Sequence, residues 1–246
     1  MIVVKVLFFT VLVSSVICAE FPSTFKRCNR ADQVCLKQAI QEAIPKFAKG
    51  FKSLGVPGID PLTIPLMEIP GGNGAVKISQ KVTDGKLYGL STAVIDDFIF
   101  DVIKVDNAKI AWNFHIPNIT LKANYEMTGQ ILVLPVKGKG VMNILLENVK
   151  GDEKIKVVTY TKNNLQYIKV NDTVLKMDAG HVTFNLDNVF DGNKQLSDQI
   201  NQVMNDNWSA VFDEIKDGYN DAIRTFMDHI VNSFFAKFAV SEIFLD

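Results

Sequence analysis

The stretch that decides the fold is NKQLSDQINQVMNDNWSAVFDEIKDGYNDAIRTFMDHIVNSFFAKF, residues 193–238. Apolar side chains recur along it at steps of three and four, which is the spacing of one helix face. The pattern predicts a single amphipathic helix of roughly 45 residues, about 68 Å long at 1.5 Å per residue. Its apolar stripe is broad and rich in phenylalanine, unlike the leucine seam of a coiled coil. A stripe of this width needs a trough to lie in.

The middle of the chain, from about residue 75 to 186, has a period of two. Apolar and polar side chains alternate through residues 121–128, as in half-buried antiparallel strands joined by hairpins. One long strand is expected from Lys86 to Lys104, and a turn is expected at Gly151-Asp152. Long strands must curl because sheets twist. The prediction is an α+β fold in which a highly curved antiparallel sheet wraps the long C-terminal helix.

A shorter helix is predicted near the N-terminus, between residues 29 and 54. Apolar residues again recur at steps of three and four. Asn29 or Asp32 can cap its start and Gly55 can cap its end. Pro45 lies inside the pattern and should kink the helix or divide it.

Residues 1–19 are predicted to be a secretory signal peptide, cleaved after Ala19. The apolar run Val6–Val13 is too short to span a bilayer core of about 30 Å. The alternative is a buried N-terminal helix, but such a helix would place polar residues at a period of 3.6. The expected mature chain, residues 20–246, is therefore one domain, secreted and extracellular, without a stable membrane anchor.

Cleavage would leave two cysteines, Cys28 and Cys35. In an oxidising compartment two cysteines this close are expected to pair, for a stabilisation on the order of 2–3 kcal/mol. Two free thiols are the alternative. A metal site is disfavoured, because two ligands without a nearby histidine do not complete a tetrahedron.

Three N-glycosylation sequons accompany the predicted secretion. They begin at Asn118, Asn171 and Asn207. Asn171 is the strongest candidate of the three, since its surroundings read as a polar turn.

Composition and motifs argue against several function classes. The net charge is −1, from 26 basic and 27 acidic residues, so no electrostatic footprint for nucleic acid exists. The chain has no G-x-S-x-G motif, and His115, His181 and His229 have no metal-ligand spacing. Asp96 and Asp97 would point to opposite faces of a strand. We therefore expect a monomer that is not an enzyme and that needs no cofactor or metal.

The predicted packing favours an internal cavity. A helix about 10 Å wide cannot contact a strongly curved sheet evenly along its whole length. Gaps lined by apolar and aromatic side chains are expected, and such gaps bind apolar ligands. The candidate tunnel-lining residues are Trp112, Phe114, Tyr125, Trp208, Phe212, Tyr219 and Phe226. Taken singly, each is better explained as plain core, and the aromatic content of the group as a whole is the stronger evidence for a cavity.

Four stretches, together with the two cysteines, carry a resemblance to a known family. They are Gly55-Val-Pro-Gly-Ile-Asp-Pro-Leu62, Phe190-Asp-Gly-Asn-Lys-Gln-Leu196, Asn205-Asp-Asn-Trp208 and Phe234-Phe-Ala-Lys-Phe238. With them the chain resembles the insect Takeout and juvenile-hormone-binding protein family over essentially its whole mature length. It lacks the second cysteine pair of the hormone-binding members, so it is more similar to the Takeout branch. Ala239 stands where many relatives have proline, which affects only the expected shape of the tail.

The resemblance implies a tubular lipid-binding fold with an internal hydrophobic tunnel. It implies carriage of a small lipophile, such as a juvenile hormone-like terpenoid or a fatty acid, and a role in circadian, feeding or chemosensory signalling. Two other hypotheses stay open at this point. One is a membrane-active lipid-transfer or host-defence protein, and the other is a secreted protein with a solid core that binds a protein partner.

Overall fold

The computed structural model describes residues 20–71, 74, 76–101 and 108–245. The predicted signal peptide, residues 1–19, lies outside the described residues, and its cleavage stays a prediction.

Within the described residues, seven strands form one antiparallel sheet. They are β1 (Leu62–Ile69), β2 (Val76–Tyr88), β3 (Val94–Asp101), β4 (Ala108–Ile131), β5 (Leu134–Lys162), β6 (Leu165–Asp178) and β7 (His181–Leu186). The two longest strands, β4 and β5, form the central hairpin of the sheet. The outer side of β4 pairs with β2 and β3, and the outer side of β5 pairs with β6 and β7. The expected antiparallel sheet is confirmed.

The length of the two central strands, β4 and β5, favours curvature of the sheet. The 29 residues of β5 would extend about 100 Å if the strand were flat. Because twisted strands of this length coil, the sheet curves around the helices. Buried and exposed residues alternate along the strands, so one face lies on the helices and the other faces solvent.

The N-terminal helix follows the predicted pattern. Helix α1 is Gln33–Ala43, and the Asp32 carboxylate caps it by accepting a hydrogen bond from the backbone N–H of Cys35 at 2.9 Å. The helix then passes into a 3₁₀ turn at Ile44–Phe47, which contains Pro45. A further turn ends at Gly55, in the left-handed conformation with φ +67°.

The C-terminal apolar stripe forms two helices, so the prediction of one helix of roughly 45 residues is wrong in this respect. They are α2 (Lys194–Asp206) and α3 (Trp208–Phe235). The break is at Asn207, whose φ of −120° and ψ of 29° are not helical. Its side-chain amide donates to the Val203 carbonyl at 2.8 Å, and short amides compete in this way with helical hydrogen bonding. The apolar period continues across the break and conceals it.

The chain from Lys86 onward also differs from the prediction. Instead of one strand to Lys104, β2 ends at Tyr88 and β3 begins at Val94. The turn between them contains Gly89 with φ +102°. The carboxylate of Asp60 holds this turn by accepting hydrogen bonds from the backbone N–H groups of Gly89 and Ser91, each at 3.1 Å.

The buried apolar side chains divide into a larger and a smaller cluster. The smaller one includes Leu36 of α1 and Phe244, which follows the short helix α4 (Val240–Ile243). Trp112 and Phe235 pack against both clusters. Members of both clusters border one cavity, and that cavity is the candidate site.

Candidate ligand-binding cavity

A cavity of about 360 Å³ lies between α1, the inner face of the sheet and the second half of α3. This volume is within the range of roughly 300–1,000 Å³ found for small-molecule sites. Apart from Lys26, Glu153 and Asp228, its described lining is apolar or aromatic, with the indole of Trp112 among the rings. The arrangement can enclose an oily molecule and keep it from water.

One wall of the cavity is the apolar face of α1 and the turn after it. The face consists of Leu36, Ala39, Ile40, Ala43 and Ile44. Only Leu36 is fully buried, and the other four are half-buried. Because they line the cavity, part of their surface borders open space rather than packed neighbours. Helix α1 therefore completes the enclosure that the sheet and α3 begin.

Side-chain amides fasten α1 to the free edge of β3. The Gln33 side chain accepts a hydrogen bond from the backbone N–H of Phe100 at 2.9 Å. The Gln41 side chain accepts one from Ile95 N–H at 2.7 Å and donates one to the Ala93 carbonyl at 3.0 Å. These contacts resemble the hydrogen bonds of a neighbouring strand. Helix side chains therefore satisfy backbone groups at the edge of β3 that would otherwise be unpaired.

A disulfide joins the same wall to the segment that precedes α1, and that segment contacts the C-terminal tail. Cys28 and Cys35 are bonded, as predicted for an oxidising compartment. The backbone carbonyl of Cys28 also accepts a hydrogen bond from the N–H of Leu245 at 3.1 Å. The first turn of α1 is thereby linked to both the preceding segment and the end of the chain.

Aromatic rings surround the cavity in two groups. In the first, the Phe234 ring lies 5.0 Å from Phe47 and 5.3 Å from Phe25, measured between centroids. In the second, the Phe98 ring stacks on Trp112 at 6.2 Å. Such pairs contribute about 0.5–1.5 kcal/mol beyond the burial of their area. These ring contacts help to hold the walls of the cavity together.

Two acidic residues, Glu153 and Asp228, line this largely apolar space. Glu153 lies on β5 directly opposite Trp112 of β4 and Leu175 of β6. Burial raises the pKa of the Glu153 carboxyl to about 7, a hydrogen bond from Trp112 acts to lower it, and the nearby charge of Asp228 acts to raise it. Asp228 itself accepts a hydrogen bond from the Thr173 hydroxyl at 2.8 Å.

The seven predicted lining residues are not all in one place. Trp112 and Phe114 line the 360 Å³ cavity. Phe212 and Tyr219 line a second, smaller cavity of about 40 Å³. The remaining three, Tyr125, Trp208 and Phe226, border neither. Contact with a ligand stays a prediction for each of the seven.

Hydrogen bonds and ring contacts account for three of the tyrosine and tryptophan positions. The Tyr125 hydroxyl donates to the Asp187 carbonyl at 2.6 Å, and burial raises the pKa of this phenol to about 12. The Tyr219 hydroxyl donates to the Gln80 side chain at 2.6 Å. The Trp208 ring meets the His181 ring edge-on at 5.0 Å.

Sequence reasoning missed the acidic pair and the role of α1 as a wall. One signal for Glu153 was present: with a period of two, it shares a strand face with Ile155 and Val157, both buried. Reading Gly151-Asp152 as a turn concealed this, since both residues lie inside β5. The sequence offers no comparable signal for Asp228, because its neighbours on the helix include both apolar and polar side chains.

The histidines and acidic residues considered above do not form a catalytic or metal-binding cluster within the described residues. His115 pairs with Asp96 on the surface at 2.9 Å. In the part of the chain that the structure describes, no three His, Cys, Asp or Glu side chains converge as metal ligands. Nor does any described helix combine the length and apolar character needed to cross a membrane.

The three sequon asparagines are exposed. Asn171 lies within β6 and not in the polar turn that was expected. Asn118 lies in β4, and Asn207 is the break between α2 and α3. Glycosylation of each stays a prediction.

The fold and the cavity together define a class, namely a single curved sheet closed by helices around an apolar interior that can hold a lipophile. The family model described as haemolymph juvenile hormone binding protein (JHBP) matches residues 6–245, and the chain belongs to this family. The family is of the ligand-binding carrier type, and its members bind small hydrophobic ligands.

Individual relatives agree with this membership. The chain is 29% identical over 233 residues to the circadian clock-controlled protein daywake of Drosophila melanogaster, covering 91% of this chain and 88% of that one. It is 28% identical, with the same coverage, to daywake of Drosophila yakuba. The crystal structure of Takeout 1 from Epiphyas postvittana superposes with a TM-score of 0.79 at 29% identity, covering 89% of this chain and 98% of that one. The resemblance drawn from sequence motifs is confirmed.

Proposed function

We propose that this protein is a secreted carrier that holds one small hydrophobic ligand in the 360 Å³ cavity. The observation that carries the proposal is a cavity lined mainly by apolar and aromatic side chains in a member of a lipophile-binding family. A ligand that buries about 300 Å² of apolar surface gains on the order of 7 kcal/mol, before the cost of association is subtracted.

The test is mass spectrometry of an organic extract from protein purified under native conditions. The expected result is one lipophile recovered at close to one molecule per chain. Displacement of a fluorescent fatty acyl probe by the recovered compound would then give its affinity. The proposal fails if the extract holds no lipophile and the protein binds no fluorescent lipophile.

The proposal includes export and glycosylation. Expressed in insect cells, the chain should accumulate in the medium as a monomer that begins at Glu20. Intact mass before and after glycosidase treatment will report which of Asn118, Asn171 and Asn207 are modified. Retention of residues 1–19 in the secreted form would contradict this part.

We place the carrier in circadian, feeding or chemosensory signalling, and the similarity to daywake supports the circadian alternative. A circadian role predicts that the amount of the protein oscillates over the day and continues to do so in constant darkness. Constant levels under both regimes would leave feeding or chemosensory signalling as the context.

A further inference from the structure

The main cavity has few charged groups, and those on the sheet and on α3 are acidic. Three charged side chains line it within the described residues: Lys26, Glu153 and Asp228. Lys26 is exposed, and its ammonium donates to the Gln38 side chain at 2.6 Å. The charged groups on the sheet and on α3 are therefore both carboxyls.

The two carboxyl groups differ in the number of hydrogen-bond and ion-pair partners that the protein gives them. Asp228 accepts from the Thr173 hydroxyl at 2.8 Å and lies 3.4 Å from the guanidinium of Arg224. Glu153 accepts from the indole of Trp112. An indole has one N–H, whereas a carboxyl group has about four acceptor sites. Glu153 therefore retains hydrogen-bonding capacity toward the cavity.

A ligand carboxylate would be disfavoured beside these groups. It would approach two acidic residues in apolar surroundings, where like charges repel strongly. A buried charge without a partner is among the most expensive groups to place in a protein. A hydroxyl group has neither problem, since it donates to an ionised carboxylate and accepts from a protonated carboxyl.

We propose that Glu153, positioned by Trp112 and flanked by Asp228, selects ligands whose polar end is an uncharged hydroxyl group and rejects those that end in a carboxylate. This inference rests on the proposed function and narrows its ligand class to long-chain or terpenoid alcohols. The competing arrangement places a carboxylate at the exposed Lys26, in which case Glu153 would not affect selectivity.

The test compares dodecanol, dodecanoate and methyl dodecanoate as displacers of a fluorescent lipophile from the delipidated full-length protein at pH 7.5. We expect dodecanol to bind at least about tenfold more tightly than dodecanoate, because the acid must bury an unpaired charge. The ester, uncharged but without a donor, should bind with intermediate affinity.

Glu153→Gln should reduce the alcohol-to-acid ratio to within about threefold by improving the binding of the acid, since it removes one of the two negative charges that line the cavity on the sheet and on α3. Asp152→Asn is the matched control, because Asp152 is the exposed neighbour on the opposite face of β5 and should leave the ratio unchanged. Thermal unfolding of both variants will establish that they are folded.

Equal affinities for alcohol and acid in the unsubstituted protein, or a ratio that Glu153→Gln does not change, would overturn the inference while the carrier function stands. Failure of all three compounds to displace the probe, with no lipophile in the native extract, would instead overturn both.

Discussion

The side-chain amide of Asn205 on α2 pairs with the backbone of Phe184 on β7 as a neighbouring strand would. Its oxygen accepts from the Phe184 N–H at 2.7 Å, and its nitrogen donates to the Phe184 carbonyl at 2.9 Å. One turn earlier, Asn201 does the same to Leu186, at 2.9 and 2.8 Å. An exposed strand edge invites association with other chains, and here a helix covers it.

The same device recurs at other edges of the sheet. Asn232 on α3 pairs with the backbone of Val170 on β6, accepting at 2.8 Å. Gln33 and Gln41 on α1 pair with β3. Helices thus fix the outer strands through amides. This pairing with strand edges is a physical reason for the asparagines that occur along the mostly apolar C-terminal stripe.

Asn205→Asp should destabilise the protein by about 2 kcal/mol or more, because it replaces a donor with an oxygen that faces the Phe184 carbonyl. Urea unfolding followed by circular dichroism measures the loss. Asp206→Asn, at the exposed neighbour, is the control and should change the free energy of unfolding by less than about 0.5 kcal/mol. Equal stabilities of the two variants would show that the amide pairing contributes nothing.

Much of the fold could be predicted because periodicity reports which face of an element is buried. It could not report single residues that interrupt or extend an element. Asn207 breaks the helix without disturbing the apolar period. Gly151 resembles a turn residue, yet it lies inside β5, where glycine is required because a Cβ would clash with the Phe114 ring. The requirement for glycine at this position therefore comes from a residue that is distant in sequence, which local patterns cannot show.

The cavity was predictable only in outline. A broad stripe against a curved sheet predicts a gap, but its position depends on where α1 lies, and local sequence does not determine that. Gln33 and Gln41, which fix α1 on β3, read as ordinary exposed helix residues. The predicted aromatic residues therefore divide between two cavities, and some border neither.

The disulfide should stabilise both the chain and the ligand complex. Substituting both Cys28 and Cys35 by serine should lower the free energy of unfolding by about 2–3 kcal/mol, because the unfolded chain is no longer constrained. Ligand affinity should fall as well, since α1 loses its covalent link to the segment beside the C-terminal tail. Denaturation and probe titration measure the two effects. Unchanged affinity would mean that the side-chain contacts with β3 are sufficient to hold the wall.

Among the described residues, two border both the main cavity and the smaller one. Met177 of β6 and Ile223 of α3 line both. Ile223→Ala should join the cavities and shift the preferred ligand toward longer chains, so that hexadecanol gains affinity relative to dodecanol. The variant should lose about 2–4 kcal/mol of stability, as is usual for such truncations.

The matched control for this partition is Ile200→Ala, at a buried position on α2 that borders neither cavity. It should be destabilised by a similar amount without any change in chain-length preference. If both variants changed that preference equally, general loosening and not a joined cavity would be the cause.

The Glu153 carboxyl should make stability depend on pH in a definite direction. Its pKa is about 7 in the folded protein and 4.5 for an unperturbed glutamate. Below pH 4.5 both states are protonated, so the group contributes no penalty there. Between pH 4.5 and 7 the unfolded chain releases the proton while the folded protein retains it, so stability falls as pH rises. Above pH 7 the loss is constant, about 3 kcal/mol.

Glu153→Gln removes this titration and should therefore be more stable than the unsubstituted protein at pH 8, by about 3 kcal/mol, with the difference shrinking toward zero near pH 4.5. Urea unfolding of both proteins across this range measures the difference, in which the titrations common to both cancel. Asp152→Asn should give a difference that is flat with pH. A Glu153→Gln difference that is equally flat would mean that Glu153 is well solvated, and the cavity beside it would then be wet rather than oily.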